Sequence, residues 1–360
     1  MAQRNRNFCG LYVHVPFCAR KCYYCAFYSV SGKNYFIDSW LEALEREAKF
    51  YTGSRIKTLY VGGGTPSLLN ISQWHKLMNI IRENFDVDNL REATCEANPN
   101  SLTPELVNFL RKNLFTRVSL GVQSLNDNEL KTLGRLHDSK QAINAMQLIK
   151  DSGLNLSCDL IFAIPGQTLR TWAESLKLVM KFAAHISTYQ LTLEPDTPLF
   201  REYDNELLNF QGYKFYRYAQ YLLPRKNFLQ YEISNFAMTN YECLHNLSYW
   251  NHDNIIALGP SAVSYLDGVR IKNYSSLNEY INEKFLYEQE NLSPREKLIE
   301  LAILSLRTKW GVKKSDLLPE IESALNNMPR DLFIITPERI ALSKRGMRIA
   351  NSIWSELIDL

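Results

Sequence analysis

A chain of 360 residues, 46% of them hydrophobic, is long enough for one large α/β core or for a large core with a smaller one beside it. Its 41 Lys and Arg against 38 Asp and Glu leave a net charge of +3, which excludes a nucleic-acid binder that works by bulk charge. Seven cysteines make a disulfide framework a poor expectation; with no apolar leader in MAQRNRNFCG and no run of ~20 apolar residues, the chain reads as cytoplasmic and not an integral membrane protein.

Six segments read as strands: LYVHVP (11–16), TLYVGG (58–63), EATCEA (92–97), RVSLGV (117–122), LSCDLIFAI (156–164) and STYQLTLE (187–194). Helical patterns lie between them. Ser72 reads as the cap before QWHKLMNIIREN, Thr103 caps a helix opening on Pro104, and Thr168 precedes LRTWAESLKLVMKFAA. The unusual residues all fall at the C-terminal ends of strands: the cysteines after the first, Gly62–Pro66 after the second, then Glu96, Gln123, Pro165–Gly166 and Glu194. A (β/α) barrel builds sites along that rim, whereas an open sheet concentrates its ligand at one switch point. The expected fold is therefore an α/β incomplete (β/α)6 TIM-like barrel over residues 1–235. Residues 236–290, rich in Asn and Tyr, read as a connecting segment. Residues 291–360 read as a small, mainly helical C-terminal domain opened by Ser293, Pro294 and Glu296, with a short hairpin around DLFIITPERIALS.

FCARKCYYCAF places Cys18, Cys22 and Cys25 in one short loop after the first strand. A structural zinc site needs a fourth ligand, for which only Cys9 or His14 lies near in sequence. Three thiolates suit a [4Fe-4S] cluster with one iron left open, and the flanking Phe17, Tyr23, Tyr24 and Phe27 are expected to exclude water from it. Next along the chain, VGGGTPSLL offers bare backbone at Gly63, Gly64 and Thr65. Glu96, Gln123 and Arg135 add a carboxylate, an amide and a guanidinium, a set suited to a ribose diol and a carboxylate. Taken singly, each of these has a capping or solvated role as its ordinary explanation.

The C-x-x-x-C-x-x-C loop resembles that of the radical S-adenosylmethionine (SAM) superfamily. YVHVPFCARKCYYCAF, GGGTPSLL, RVSLGVQSLN with LGRLHD, DLIFAIPGQT, LTLEPDTPLF and YEISNFA follow in the order found in one branch, the oxygen-independent coproporphyrinogen III oxidase-like proteins. The resemblance implies a radical SAM barrel with a [4Fe-4S] cluster on Cys18, Cys22 and Cys25. It implies SAM held by Tyr12, Gly63, Gly64, Thr65, Glu96, Gln123, Arg135 and Asp159.

The branch holds both porphyrinogen oxidases and HemW-type haem chaperones. Oxidases resemble this chain less: they carry a further cysteine two positions after the third ligand, where Phe27 stands here, and a longer segment before the first ligand. HNLSYW (245–250) fits a pattern associated with haem in the chaperone subgroup. It implies haem held by His245, Tyr249 and Trp250, with His252 as a second candidate; neutral imidazole is a good axial ligand, and aromatic rings cover a porphyrin face. Where relatives have a glycine-rich segment followed by a histidine, ALGPSAVSY has Ser261, Ala262 and Val263, so the haem geometry is expected to differ. The function implied is capture of haem and its transfer to an acceptor haemoprotein, such as a membrane-associated respiratory enzyme, with a separate electron donor. The alternatives are decarboxylation of porphyrinogen propionates and a zinc-stabilised interaction module.

Overall fold

The computed structural model describes residues 8–203 and 205–358; the N-terminal MAQRNRN lies outside them. Six parallel strands stand side by side in chain order: β1 (Cys9–Val15), β2 (Ser54–Gly63), β3 (Glu92–Ala97), β4 (Arg117–Gln123), β5 (Asn155–Phe162) and β6 (His185–Gln190). The sheet does not close on itself. A short antiparallel strand, β7 (Asn235–Ala237), pairs with β6 at one side, and β8 (Ile255–Leu258) pairs parallel with β1 at the other. This is the incomplete (β/α)6 barrel expected.

Strand periodicity sorts the side chains into two populations. In β4, Val118, Leu120 and Val122 are fully buried beneath the helices, whereas Arg117, Ser119, Gly121 and Gln123 line a cavity inside the barrel. The same parity puts Leu59 and Val61 of β2 in the core and Tyr60 on the cavity side; in β5 it puts Leu156, Cys158 and Leu160 in the core and Ser157, Asp159 and Ile161 inside. The barrel therefore has an apolar outer core and a polar lumen.

The outer helices start where the sequence has capping residues. α1 (Ile37–Ala48) follows a single 3₁₀ turn, and α2 (Ile71–Asn84) is capped by Asn70 with Gln73 in a capping box, two residues before the Ser72 expected. Asn70 wins because its carbonyl reaches the Gln73 N–H while Gln73 reaches back to the Asn70 N–H. Thr103 and Thr168 cap as expected α3 (Pro104–Lys112) and α5 (Leu169–Val179), with α4 (Ser139–Ser152) between them.

Residues past 235 hold more regular structure than their composition suggested: α7 (Leu244–Trp250), β8, and an antiparallel meander Val263–Leu266, Val269–Asn273 and Leu286–Asn291. The helix between β6 and β7, α6, spans Asn205–Leu222. The smaller C-terminal domain is mainly helical: α8 (Pro294–Leu306) and Pro319–Asn327 each pack on Ala350–Ile358 over a core of its own, including Leu306, Ile321, Leu325, Ile353 and Leu357. The expected hairpin is there as Phe333–Ile335 with Arg339–Leu342. Among the described residues no helix is long and apolar enough to cross a membrane.

Candidate functional site

The cysteine loop is tied at its base. Phe17 is fully buried, and Phe17–Cys18 pairs with Val30–Ser31, closing the loop into a compact arch. The Tyr23 N–H donates to Leu133 O and the Tyr23 carbonyl accepts from the Leu199 N–H, so the loop is pinned to the segments beyond β4 and β6. Tyr24 is half-buried, but Tyr23 is 40% and Phe27 72% exposed, so these two rings do not seal the loop from water as expected.

Cys18, Cys22 and Cys25 are free thiols that line one cavity of about 500 Å³. Thr65 Oγ1 donates to Cys18 Sγ at 3.6 Å, and Arg135 Nη1 to Cys22 Sγ at 3.4 Å. Among the described residues no three His, Cys, Asp or Glu side chains converge as the ligands of a single ion do. A cubane cluster makes a different demand, since each thiolate binds its own iron and the sulfurs stand around a body rather than a point. The donor set fits: three thiols around one space, with a hydroxyl and a cation to stabilise the thiolate charge.

The glycine loop lies against the base of this arch. A side chain at Gly64 would put its Cβ 2.6 Å from Phe17 O and 2.8 Å from Val15 O, so only glycine lets the two loops meet. Gly63 has φ of +103°, and its N–H donates to Glu96 Oε2 at 3.0 Å. The other Glu96 oxygen accepts from Tyr60 OH at 2.8 Å. Burial, reinforced by the Asp159 charge, pushes the Glu96 carboxyl up to about 7 against those two hydrogen bonds. Asp159, which accepts from Ser119 Oγ at 3.0 and 3.2 Å, is pushed up to about 6, again chiefly by burial. Gln123 ends β4 in a bulge with φ of +63°, an uncommon backbone for glutamine that turns the chain across the cavity rim. Arg135 spans the same rim, donating to Gly121 O at 2.8 Å and to Asn98 Oδ1.

Of the residues proposed from sequence, Gly63, Gly64, Thr65, Glu96, Gln123, Arg135 and Asp159 come together on this one cavity. Tyr12 does not line it: it lies beside Tyr60, its ring tilted against that phenol, and its hydroxyl meets His14 Nδ1 at 3.0 Å. Tyr60, Asn98 and Arg117, which no motif marks, also line the cavity. Strand parity is the signal that finds them: Tyr60 precedes Gly62 by two, Asn98 follows Glu96 by two, and Arg117 precedes Ser119 by two.

HNLSYW forms α7, which closes the N-terminal end of the barrel. Cys243 and Asn246 face the cavity as its floor, and Glu92 accepts from the backbone N–H groups of Leu244 and His245. Arg117 locks this arrangement by pairing with Glu92 at 2.9 Å and donating to Tyr241 O and Glu242 O. His245 is only 1% exposed; its Nδ1 meets Thr58 Oγ1 at 2.9 Å, its ring stacks on Tyr60, and burial holds it neutral with a pKa down to about 3. Tyr249 meets the His245 ring edge-on, and Trp250 turns the other way, under the Arg307 guanidinium at 4.2 Å. His252 stacks on Tyr265 and bonds Glu300. The three motif residues thus share a helix but face different neighbours.

Residues 12–179 match the family model of the radical SAM superfamily. Over 96% of both chains the sequence is 31% identical to a haem chaperone HemW of Lactococcus lactis, and over 96% of this chain and 98% of the relative it is 33% identical to a haem chaperone HemW of Bacillus subtilis. The chain belongs to the HemW branch of the radical SAM superfamily. The fold agrees: a coproporphyrinogen III oxidase (HemN) structure from Escherichia coli superposes on 99% of this chain and 91% of its own with a TM-score of 0.83, at 22% identity, a likeness of architecture alone. Radical SAM membership implies a [4Fe-4S] cluster and SAM. It turns the arch of free thiols into a cofactor question with a defined geometry.

Proposed function

We propose that this chain is a HemW-like haem chaperone, carrying a [4Fe-4S] cluster on Cys18, Cys22 and Cys25 and SAM in the barrel mouth. The relatives named haem chaperone, aligned with it from end to end, carry this reading. In it, Thr65 and Arg135 stabilise the cluster thiolates, and the bare backbone of Gly63 and Gly64 lies along the amino-acid end of SAM. Glu96, Gln123 and Asp159 take its polar groups, with Tyr12 supporting beside Tyr60. Bound there, the cluster and the sulfonium supply one-electron chemistry.

Haem is the cargo, received from solution and passed to an acceptor haemoprotein in the cytoplasm or at the membrane surface. The HNLSYW helix is the proposed place of capture. Burial keeps His245 neutral, as an iron ligand must be, and its Nε2 has no partner. His245 is buried, so capture requires the ring to come out from its place against Thr58 and Tyr60, opening the barrel floor.

The test is an anaerobic haem titration of reconstituted protein beside the His245→Ala variant. Near-stoichiometric binding that weakens at least tenfold in the variant is the expected result. Absence of binding by the wild type, or protoporphyrinogen formed from coproporphyrinogen on addition of SAM and reductant, overturns the chaperone reading.

A further inference from the structure

We propose that His245 is also a positioning residue for SAM: its ring, stacked on Tyr60, fixes the phenol that orients the Glu96 carboxylate. The inference rests on the assignment of Glu96 to SAM made above and is independent of haem. The contacts form an unbroken series. The His245 and Tyr60 rings stack with centroids 5.1 Å apart at 27°. Tyr60 OH donates to Glu96 Oε1 at 2.8 Å, and the second oxygen of that carboxylate accepts from the Gly63 N–H of the glycine loop at 3.0 Å.

Two glycines make room for the series. At Gly10 a Cβ would approach Thr58 Oγ1 to 3.2 Å and His245 Cε1 to 3.3 Å, pressing on the imidazole and on the hydroxyl that holds it. At Gly62 a Cβ would stand 2.8 Å from Glu96 Cδ and 2.9 Å from Tyr60 Cε1, an overlap that would separate the phenol from the carboxylate. His245 itself does not reach the cavity, whereas Tyr60 and Glu96 both line it. Thr58 holds the imidazole at Nδ1, and Glu92 anchors the backbone of the same residue through its N–H. An exposed histidine would wander; this one is locked and transmits its position. The floor helix is thereby part of the cofactor site at the opposite end of the barrel.

A phenol held in register also sets the charge of the acid it faces. The Tyr60 hydrogen bond favours the Glu96 carboxylate over its acid form, against burial and the Asp159 charge. The other titratable groups around Glu96 are Tyr12, Tyr189 and Cys95.

The experiment is equilibrium dialysis of SAM, without haem, against anaerobically reconstituted wild type and the variants His245→Ala, His245→Phe, Tyr60→Phe and Glu96→Gln. Loss of the ring in His245→Ala is expected to weaken SAM about fivefold, the size of one aromatic contact, while His245→Phe, which restores a ring to stack, returns to within about twofold of wild type. Tyr60→Phe keeps the ring but loses the hydroxyl, so SAM binding weakens and its pH midpoint moves upward, a shift that a merely structural role does not produce. Wild-type affinity in His245→Ala overturns the proposal. So does a His245→Phe protein with normal iron content and circular dichroism that binds SAM as poorly as His245→Ala. Wild-type affinity in Glu96→Gln removes the assignment beneath it and overturns both. Loss of haem binding in His245→Phe with SAM affinity retained separates the two uses of the ring, in support of both, and a wild type that binds SAM but no haem sinks the chaperone reading alone.

Discussion

Glu96 joins the Tyr60 hydroxyl to the glycine-loop backbone, and its ionisation is open to measurement. Its carboxyl sits at about 7 instead of 4.5 because burial outweighs the hydrogen bonds from Tyr60 and Gly63. As the proposed acceptor for SAM hydroxyl groups it serves best when charged. SAM affinity is therefore expected to rise between pH 6 and 8, by up to about tenfold per unit below the midpoint, and to flatten in Glu96→Gln. A wild-type profile as flat as the variant's would refute this. The sign for stability is the opposite. A raised acid pKa means that the folded state binds more protons than the unfolded one between the two values, so the SAM-free protein loses stability from this group as pH climbs from 4.5 to about 7. Sequence alone marked Glu96 because it closes a strand, yet it said nothing of Tyr60, whose role depends on a hydroxyl meeting an acid on the next strand.

At the scale of elements, the site is a contact between two loops that strands β1 and β2 deliver side by side. Gly64 is where they touch. Gly64→Ala forces a methyl into the carbonyls of Phe17 and Val15, and neither can move without shifting the cysteine arch. The expected outcome is a folded protein that retains well under half of the wild-type iron after reconstitution, measured as iron per chain; full iron loading would show that the arch is independent of the glycine loop. Both loops were legible in sequence because glycine, proline and paired cysteines after a strand have few other uses. Their contact was not, since β1 and β2 become neighbours only through sheet register, Val15 opposite Gly63. α7 was less legible still. A seven-residue helix in an Asn- and Tyr-rich segment has too few turns to show a period, and it forms because Glu92 and Arg117 hold its start.

Across the whole molecule, the C-terminal domain meets the barrel at Arg307. Its guanidinium lies over Trp250 at 4.2 Å and Trp354 at 5.2 Å, and it pairs with Glu232, whose side chain is wholly buried. Arg307→Ala strips a buried carboxylate of its cation and is expected to cost about 2 kcal/mol in chemical denaturation, with a tryptophan fluorescence change; a cost under about 0.5 kcal/mol would show the two units merely touching. A second whole-molecule consequence concerns the two ligands. One imidazole serves both Tyr60 and the proposed haem, so SAM at saturation is expected to weaken haem binding by the factor with which haem weakens SAM. Titrating each ligand in the presence of the other reads that factor, and a value of one would refute the link. The amino-acid sequence by itself determined the six parallel strands, the rim on which the cavity residues gather and the three cysteines, because alternation, caps and loop composition are local and repeat along the chain. Only the tertiary structure decided that HNLSYW is the barrel floor, that His245 is buried against Tyr60 and that Trp250 holds the C-terminal domain, because those contacts join segments whose proximity no local pattern encodes.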